Sequence, residues 1–270
     1  MSYDLVGAGA DYPEWQGPPR RTLVICTQQR SGSTLLGEAL YFSGGFGCPL
    51  EYFHGGFRPG FAARWKADDL PTYVAALHRH RTDPSGTLAI KLFWRDVVQL
   101  LREYAPSEFT DLFRFTPAPM PPTIHRRILA IISGILPNPT FVRLGRRDQV
   151  GQAVSHYRAT VEARRWRKFV EGAADGEPAH NFNLTFRILA AIQLHNAHWH
   201  DFFRANGVCY HALDYEDLAQ SYESTLARLF AAIGRPDASI PPPRLHKQAD
   251  GHSERLARQF IADAREVTRR

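Results

Sequence analysis

Cysteine is scarce: Cys26, Cys48 and Cys209 are the only three among 270 residues, and none forms a Cys-x-x-Cys pair. That excludes a disulfide framework. Cys26 and Cys209 lie in apolar, strand-like runs, where a buried inert thiol is expected, and the usage fits a reducing cytoplasm. Long apolar runs are also missing. The longest, Ile128 to Leu136, is interrupted by Ser133 and Gly134 and falls far short of the ~18 residues a membrane span requires. Met1 to Asp11 shows no basic segment followed by an apolar one, so no signal peptide is expected. There is no long basic run either. The excess of 33 Lys and Arg over 27 Asp and Glu, a net +6, is scattered through helices. It suits an anionic partner such as a nucleotide but offers no arm for nucleic acid.

What is present is ordinary for a soluble globular chain: 44% hydrophobic and 22% charged residues. A Gly- and Pro-rich stretch, residues 1–20, reads as an irregular N-terminal arm before one domain over 21–270. Strands are expected at Thr22–Thr27, Thr87–Phe93, Thr140–Leu144 and Val208–Leu213. Helices are expected over about 33–42, 68–82, 123–135, 148–170, 182–206, 217–233 and 252–267. Strands separated by long helices imply crossover connections, hence an α/β fold with a central parallel sheet flanked by helices. Gly44 to Gly60 and Tyr104 to Pro122 read as long loops, of the kind that form lids or binding surfaces.

The most informative segment is Thr27-Gln-Gln-Arg-Ser-Gly-Ser-Thr-Leu-Leu36. A buried strand passes through a Gly-containing turn into a helix N-terminus, where unpaired backbone N–H groups and the helix dipole favour an anion. Ser31, Ser33 and Thr34 add hydroxyls and Arg30 a fixed charge. The plainer reading has Ser33 as an N-cap and Arg30 in solvent. The loop lacks Gly-x-x-x-x-Gly-Lys-Ser/Thr and Gly-x-Gly-x-x-Gly, so neither a nucleoside triphosphatase nor a dinucleotide oxidoreductase is expected. Further along, Phe141-Val-Arg-Leu-Gly-Arg-Arg-Asp148 leads into a helix carrying Ser155 and His156. Arg147 and Ser155, eight residues apart, could reach one phosphate; Arg146 stands beside Arg147, and spacing favours Arg147. Glu51 sits among apolar and aromatic residues, a setting that can turn a carboxylate into a working base. Lys91 ends a buried strand, a costly position unless it meets an anion. His195, His198 and His200 lack a Cys or carboxylate to complete a metal set, so no metal is expected.

Gln29-Arg-Ser-Gly-Ser-Thr-Leu-Leu36 resembles the 5′-phosphosulfate loop of sulfotransferases, and most closely that of the bacterial trehalose 2-sulfotransferase-like carbohydrate sulfotransferase family. The resemblance touches motifs from Thr27 to Glu254. It implies a P-loop-like sulfotransferase fold and 3′-phosphoadenosine 5′-phosphosulfate (PAPS) as donor. Arg30, Ser31, Gly32, Ser33 and Thr34 would hold the 5′-phosphate, Arg147 and Ser155 the 3′-phosphate. Tyr215, in Leu213-Asp-Tyr-Glu-Asp-Leu218, would touch the adenosine. Glu51 matches the family's proposed base in a Pro-x-Glu-Phe/Tyr-Phe segment, while Arg30 and Lys91 would stabilise the transferring group. Cytosolic sulfotransferases place a histidine base where Phe93 stands, which supports Glu51 in that role. Lys247-Gln-Ala-Asp250 and Ser253-Glu are also similar to the family, with no role derivable from sequence. The expected acceptor is a small hydroxylated molecule, a sugar or glycolipid headgroup. Cys48, Leu50, Tyr52, Phe53 and Phe57 suggest that it has one apolar face, covered by the Tyr104–Pro122 loop. A second copy of the chain is left open as a partner. Two rivals stand: a Mg²⁺-dependent small-molecule kinase and a non-catalytic nucleotide-binding protein.

Overall fold

The computed structural model describes residues 4–113, 115–161, 179–245 and 250–269. Four parallel strands, β1 (Arg21–Thr27), β2 (Thr87–Phe93), β3 (Pro139–Gly145) and β4 (Tyr210–Asp214), form one sheet in the order β2-β1-β3-β4. The continuous apolar runs of β1 and β2 follow from burial on both faces. Val24, Cys26, Leu88, Ile90 and Leu92 point into one core. Leu23, Ile25, Ala89, Val142 and Leu144 point into the other. The first face is packed by α3 (Leu70–Arg81), α4 (Trp94–Tyr104), α6 (Pro122–Ile135) and α8 (Phe182–Asn206). The second is packed by α1 (Ser33–Ser43) and α10 (Tyr222–Ala232). Because β1 has β2 on one side and β3 on the other, its C-terminal end is a topological switch point, the usual crevice for ligands in open α/β sheets.

Several elements differ from the sequence expectation. α2 (Arg58–Trp65) begins inside the expected Gly44–Gly60 loop, and α4 occupies a stretch given no element. α4 starts directly from β2, with Phe93 as its N-cap and no turn residue between them. Its core face is nevertheless written as Trp94, Val97, Val98 and Leu101, the spacing of an amphipathic helix. α5 (Pro106–Phe109) lies in the other expected loop. The single helix expected over 217–233 is two, α9 (Tyr215–Gln220) and α10, broken at Ser221, whose backbone leaves helical space at φ −134°, ψ 52°. α7 is described over Gln149–Val161; the remainder of the expected helix to residue 170 lies outside the described residues. Cys26 is buried as expected, but Cys209 is exposed, because it precedes β4 at the edge of the sheet.

The N-terminal arm is tied to the C-terminal end of α3. Tyr12 and Trp15 donate backbone N–H groups to the carbonyls of His80 and Arg79, each at 2.9 Å. The Arg81 side chain is fully buried and makes an ion pair with Asp11 at 2.9 Å. It donates to the Leu5 carbonyl at 2.9 Å and lies over the rings of Tyr52 and Phe61.

A second clasp joins α7 to α11 (Gly251–Val267). Asp250 caps α11 by accepting from the Ser253 amide at 2.9 Å, and it meets the buried Arg158 at 2.5 Å. This gives Asp250 a structural role, while the preceding Lys247 to Ala249 lie outside the described residues. Burial pushes the Asp250 carboxyl up, but Arg158 and Ser253 outweigh it and hold it well below the usual carboxylate range. A carboxyl held low stabilises the fold above its unfolded value of roughly 4. That contribution fades as pH falls through the folded value. Asp250→Asn should therefore lower Tm by a few degrees at pH 7. In thermal melts across pH, the difference from the parent chain should shrink below about pH 4.

Candidate active site

The turn after β1 is built to leave backbone amides unused. Arg30 and Gly32 both take left-handed backbone, at φ 63° and 81°. Gly32, rather than Ser33, is the N-cap of α1, and no side chain caps the helix. Left-handed residues flanking Ser31 turn successive N–H groups toward one point, an anion-binding concavity. Ser31 itself is turned inward: its hydroxyl lies 2.6 Å from Thr27 Oγ1, which donates to the Leu144 carbonyl at 2.9 Å. The Ser31 side chain thus braces the loop, whereas Thr34 is exposed on the first turn.

Tyr215 explains why position 32 is glycine. A Cβ there would lie 2.4 Å from Tyr215 Cδ2. On the ring also rests the Arg146 guanidinium, 4.9 Å from its centroid, donating to the Arg30 carbonyl at 3.2 Å. The rest of the Tyr-Glu-Asp turn clasps the start of α7. Glu216 accepts from the amides of Arg147 and Asp148, each at 3.1 Å. Burial raises the Glu216 carboxyl, but the Asp148 and Arg147 amides overcome it and leave it below its ordinary value. Arg147 turns outward, about half exposed, and pairs with Asp214 and Asp217 at 2.8 Å each. Arg146 faces inward toward the loop, and its Nε is buried without a hydrogen-bond partner among the described residues. Arg30 Nε donates to Ser155 Oγ at 2.9 Å, so two expected phosphate ligands meet directly.

Glu51 and Lys91 also meet, at 2.7 Å. The Leu50 carbonyl accepts the Lys91 amide at 2.8 Å, which lays the segment ending at Glu51 along β2. Gly47 permits this approach, since a Cβ there would sit 2.7 Å from the Ala89 nitrogen. The apolar surroundings expected for Glu51 are thus replaced on one side by a buried ammonium.

Beside this pair opens a cavity of about 950 Å³, lined by His54, Arg95, Asp96, Arg102, Phe113 and Phe115 among others. The expected apolar wall is corrected here. Cys48, Tyr52 and Phe53 are buried in the core, and Leu50 and Phe57 pack against it. The aromatic wall comes instead from Phe113 and Phe115, both more than half exposed. Phe115 stacks on His195, and His198 hydrogen-bonds the Thr116 carbonyl at 2.7 Å. His195 and His198 therefore support the segment that walls the cavity, whereas His200 is exposed beside Asp201. Among the described residues no group of three or more His, Cys, Asp or Glu is placed to hold a metal ion.

Sequence reasoning missed the polar lining. With its amide oxygen toward α4, Gln29 meets Arg95 Nη2 at 2.8 Å. Burial, reinforced by Arg95 and Arg30, lowers the His156 pKa to about 4. Burial raises the Asp96 pKa to about 7 despite Arg95, with Glu51 adding to the rise. The signal for Arg95 and Asp96 was the amphipathic spacing of α4; nothing local marked His54 or His156.

A family model described as Stf0 sulphotransferase matches residues 22–263, and the chain belongs to that family; it is a sulfotransferase enzyme. Among curated relatives, trehalose 2-sulfotransferase of Mycobacterium tuberculosis is 27% identical over 269 residues, covering 90% of this chain and 96% of the relative. The enzyme of the same description from Mycolicibacterium smegmatis is 24% identical over 255 residues, covering 89% and 94%. A solved sulfotransferase domain from the Synechococcus PCC 7002 olefin synthase aligns over 93% of this chain and 98% of its own, with 14% identity and a TM-score of 0.39. Among the described residues no helix is long and apolar enough to cross a membrane.

Two penalties oppose any side chain at position 32, the left-handed φ and the Tyr215 ring. Gly32→Ala should cost about 1–3 kcal/mol of stability. In a double-mutant cycle by denaturant unfolding, the same change should cost less in a Tyr215→Ala background, where only the backbone strain remains.

Proposed function

We propose that the chain transfers the sulfuryl group of PAPS to a hydroxyl of a small acceptor, a sugar or the sugar headgroup of a glycolipid. The acceptor oxygen bonds to sulfur as the bridging S–O bond to the 5′-phosphate breaks, and adenosine 3′,5′-bisphosphate (PAP) leaves. The observation that carries this reading is the uncapped first turn of α1, which follows left-handed Arg30 and Gly32. The Arg30–Ser155 contact adjoins it, and the Glu51–Lys91 pair stands beside the cavity. The residues present fit such a donor. The amides of Ser31 to Thr34 are free of a side-chain cap and would take the 5′-phosphate. Arg30 would stand by the 5′-phosphosulfate, while Ser155 and Arg146 would take the 3′-phosphate. Arg146 suits this better than Arg147, whose guanidinium is already occupied by two carboxylates. Tyr215 props the loop and, by the family resemblance, would also border the adenosine.

The donor brings an activated sulfuryl group, and the chain's part is positioning and charge. Glu51 accepts the proton of the acceptor hydroxyl. Lys91 holds Glu51 in place and, with Arg30, offsets negative charge that develops on the transferring group, the kind of preorganised electrostatic contribution that dominates such reactions. Phe113 and Phe115 give the acceptor an apolar face to rest on, while His54, Arg95 and Asp96 line the polar side. Two relatives named for action on trehalose support a carbohydrate acceptor. A cytoplasmic setting belongs to this reading, as does the absence of a metal requirement.

Calorimetry separates the two arginines. A charged hydrogen bond contributes about 1.5–3 kcal/mol, so adenosine 3′,5′-bisphosphate should bind far more tightly than 5′-AMP. Arg146→Ala should narrow that gap and Arg147→Ala should leave most of it. Equal affinities for the two nucleotides in the parent chain would refute the donor assignment. For the base, Glu51→Gln keeps shape but takes no proton. Turnover should fall about 10²–10⁴-fold with bisphosphate affinity little changed, measured with labelled PAPS over a panel of sugars and alkyl glycosides. Parent-like turnover would place the base elsewhere.

A further inference from the structure

His54 lies three residues beyond Glu51, in the turn that carries the chain into α2, and lines the cavity of Arg95, Asp96 and Phe115. Its backbone N–H donates to the Glu51 carbonyl at 3.1 Å, so the two side chains spring from one hydrogen-bonded turn. The ring stands edge-on to Phe93, at 6.4 Å between centroids, and tilted against Phe57 at 5.7 Å. Those two aromatic neighbours restrict its rotation. Nδ1 accepts the Gly56 N–H at 2.9 Å. A neutral imidazole whose Nδ1 accepts carries its proton on Nε2. Nε2 has no hydrogen-bond partner among the described residues, and it is not among their buried unpaired polar atoms.

We propose that His54 is a further residue of the acceptor site, whose Nε2–H donates a hydrogen bond to an acceptor oxygen next to the hydroxyl that Glu51 deprotonates. The proposal rests on the sulfotransferase reading above and extends it. The surroundings of the ring keep it neutral, the state in which Nδ1 accepts and Nε2 donates. Burial and the Arg95 guanidinium lower its pKa to about 4, with Glu51 opposing. An imidazole this weakly basic is a poor proton acceptor near neutrality, so the base role stays with Glu51 and His54 reads the acceptor by donation. Proton removal and oxygen recognition then come from the two ends of a four-residue turn. An acceptor must offer two oxygens at matching separation, as neighbouring hydroxyls on a sugar ring do. Isolated alcohols meet only half of the requirement.

The test uses the full chain, PAPS, and two probe acceptors, trehalose and octyl β-glucoside. His54→Phe should raise KM for the sulfated probe roughly tenfold, the effect of one lost hydrogen bond, with KM for PAPS and bisphosphate affinity unchanged. His54→Gln restores a donor and should recover most of the loss. Gly56→Ala is the second variant. It keeps the imidazole, but its Cβ would lie 3.1 Å from Nδ1 and Cε1, displacing the ring, and it should raise KM in the same direction. The pH profiles of the parent and His54→Gln should coincide between about pH 5 and 8, because a ring of such low basicity does not titrate there. An unchanged acceptor KM in His54→Phe, with transfer and bisphosphate binding intact, overturns the assignment alone. So does a pH profile displaced in His54→Gln. Failure of the parent chain to bind the bisphosphate or to sulfate either probe overturns the proposed donor and acceptor and this proposal together.

Discussion

The first turn of α1 has amides that no side chain satisfies, and much of the molecule is arranged around keeping them so. A helix start of this kind is stable only where solvent or an anion completes it. The turn that presents it needs two left-handed residues, one of them arginine, and such backbone persists only when its surroundings over-determine it. Tyr215 presses on the glycine, Arg146 ties down the Arg30 carbonyl, and Gln152 Nε2 donates to the Gln29 carbonyl at 2.7 Å. Glu216 anchors the next turn, after β3, to the same α9 segment. The C-terminal ends of β1, β3 and β4 are therefore braced as one unit. The two adjacent arginines divide the work, one serving the loop and the other the acidic end of β4.

The Glu51–Lys91 pair has a different logic. Both groups are largely withdrawn from water, Lys91 to 3% exposure and Glu51 to 12%. Removing one partner of a buried pair typically costs about 3–5 kcal/mol, because the other is left uncompensated. An ion pair in this position is thus poor evidence of selection for stability. It makes sense as an arrangement in which the Lys91 ammonium fixes the position of a carboxylate near the cavity. A variant that neutralises Glu51 disturbs folding as well as chemistry, so its kinetics need a stability measurement beside them.

The sheet was legible in the sequence because β1 and β2 are buried on both faces and read as largely apolar stretches, with long helical stretches between the strands. The phosphate loop was legible because its residue types and order are unusual. α4 was overlooked because it begins without a turn, although its apolar spacing was there to read. Spacing favoured Arg147 over Arg146, yet Arg147 turns outward, since sequence spacing does not say which of two neighbouring side chains turns inward. That choice is made by Asp214 and Asp217, nearly seventy residues away. The acceptor side was least legible. Cys48, Tyr52 and Phe53 are apolar for the core rather than for a ligand, and the cavity wall comes from Phe113 and Phe115, which meet Arg102 of α4 and His195 of α8. Such surfaces are set by long-range packing, which periodicity does not encode.

The arm bound to Arg81 changes what the N-terminal residues mean for this fold. The guanidinium is fully buried; Asp11 and the carbonyls of Leu5 and Ala10 stand in for a hydration shell. An arm merely resting on the surface could fray without consequence. This one cannot detach without leaving a cation dehydrated beneath Tyr52 and Phe61, at a cost of several kcal/mol. Local opening of the arm is thereby coupled to opening of the core around α3, so amide protection in residues 5–15 would approach that of the sheet rather than that of a loose tail. A fusion partner joined to this end would pull directly on the packing behind Glu51.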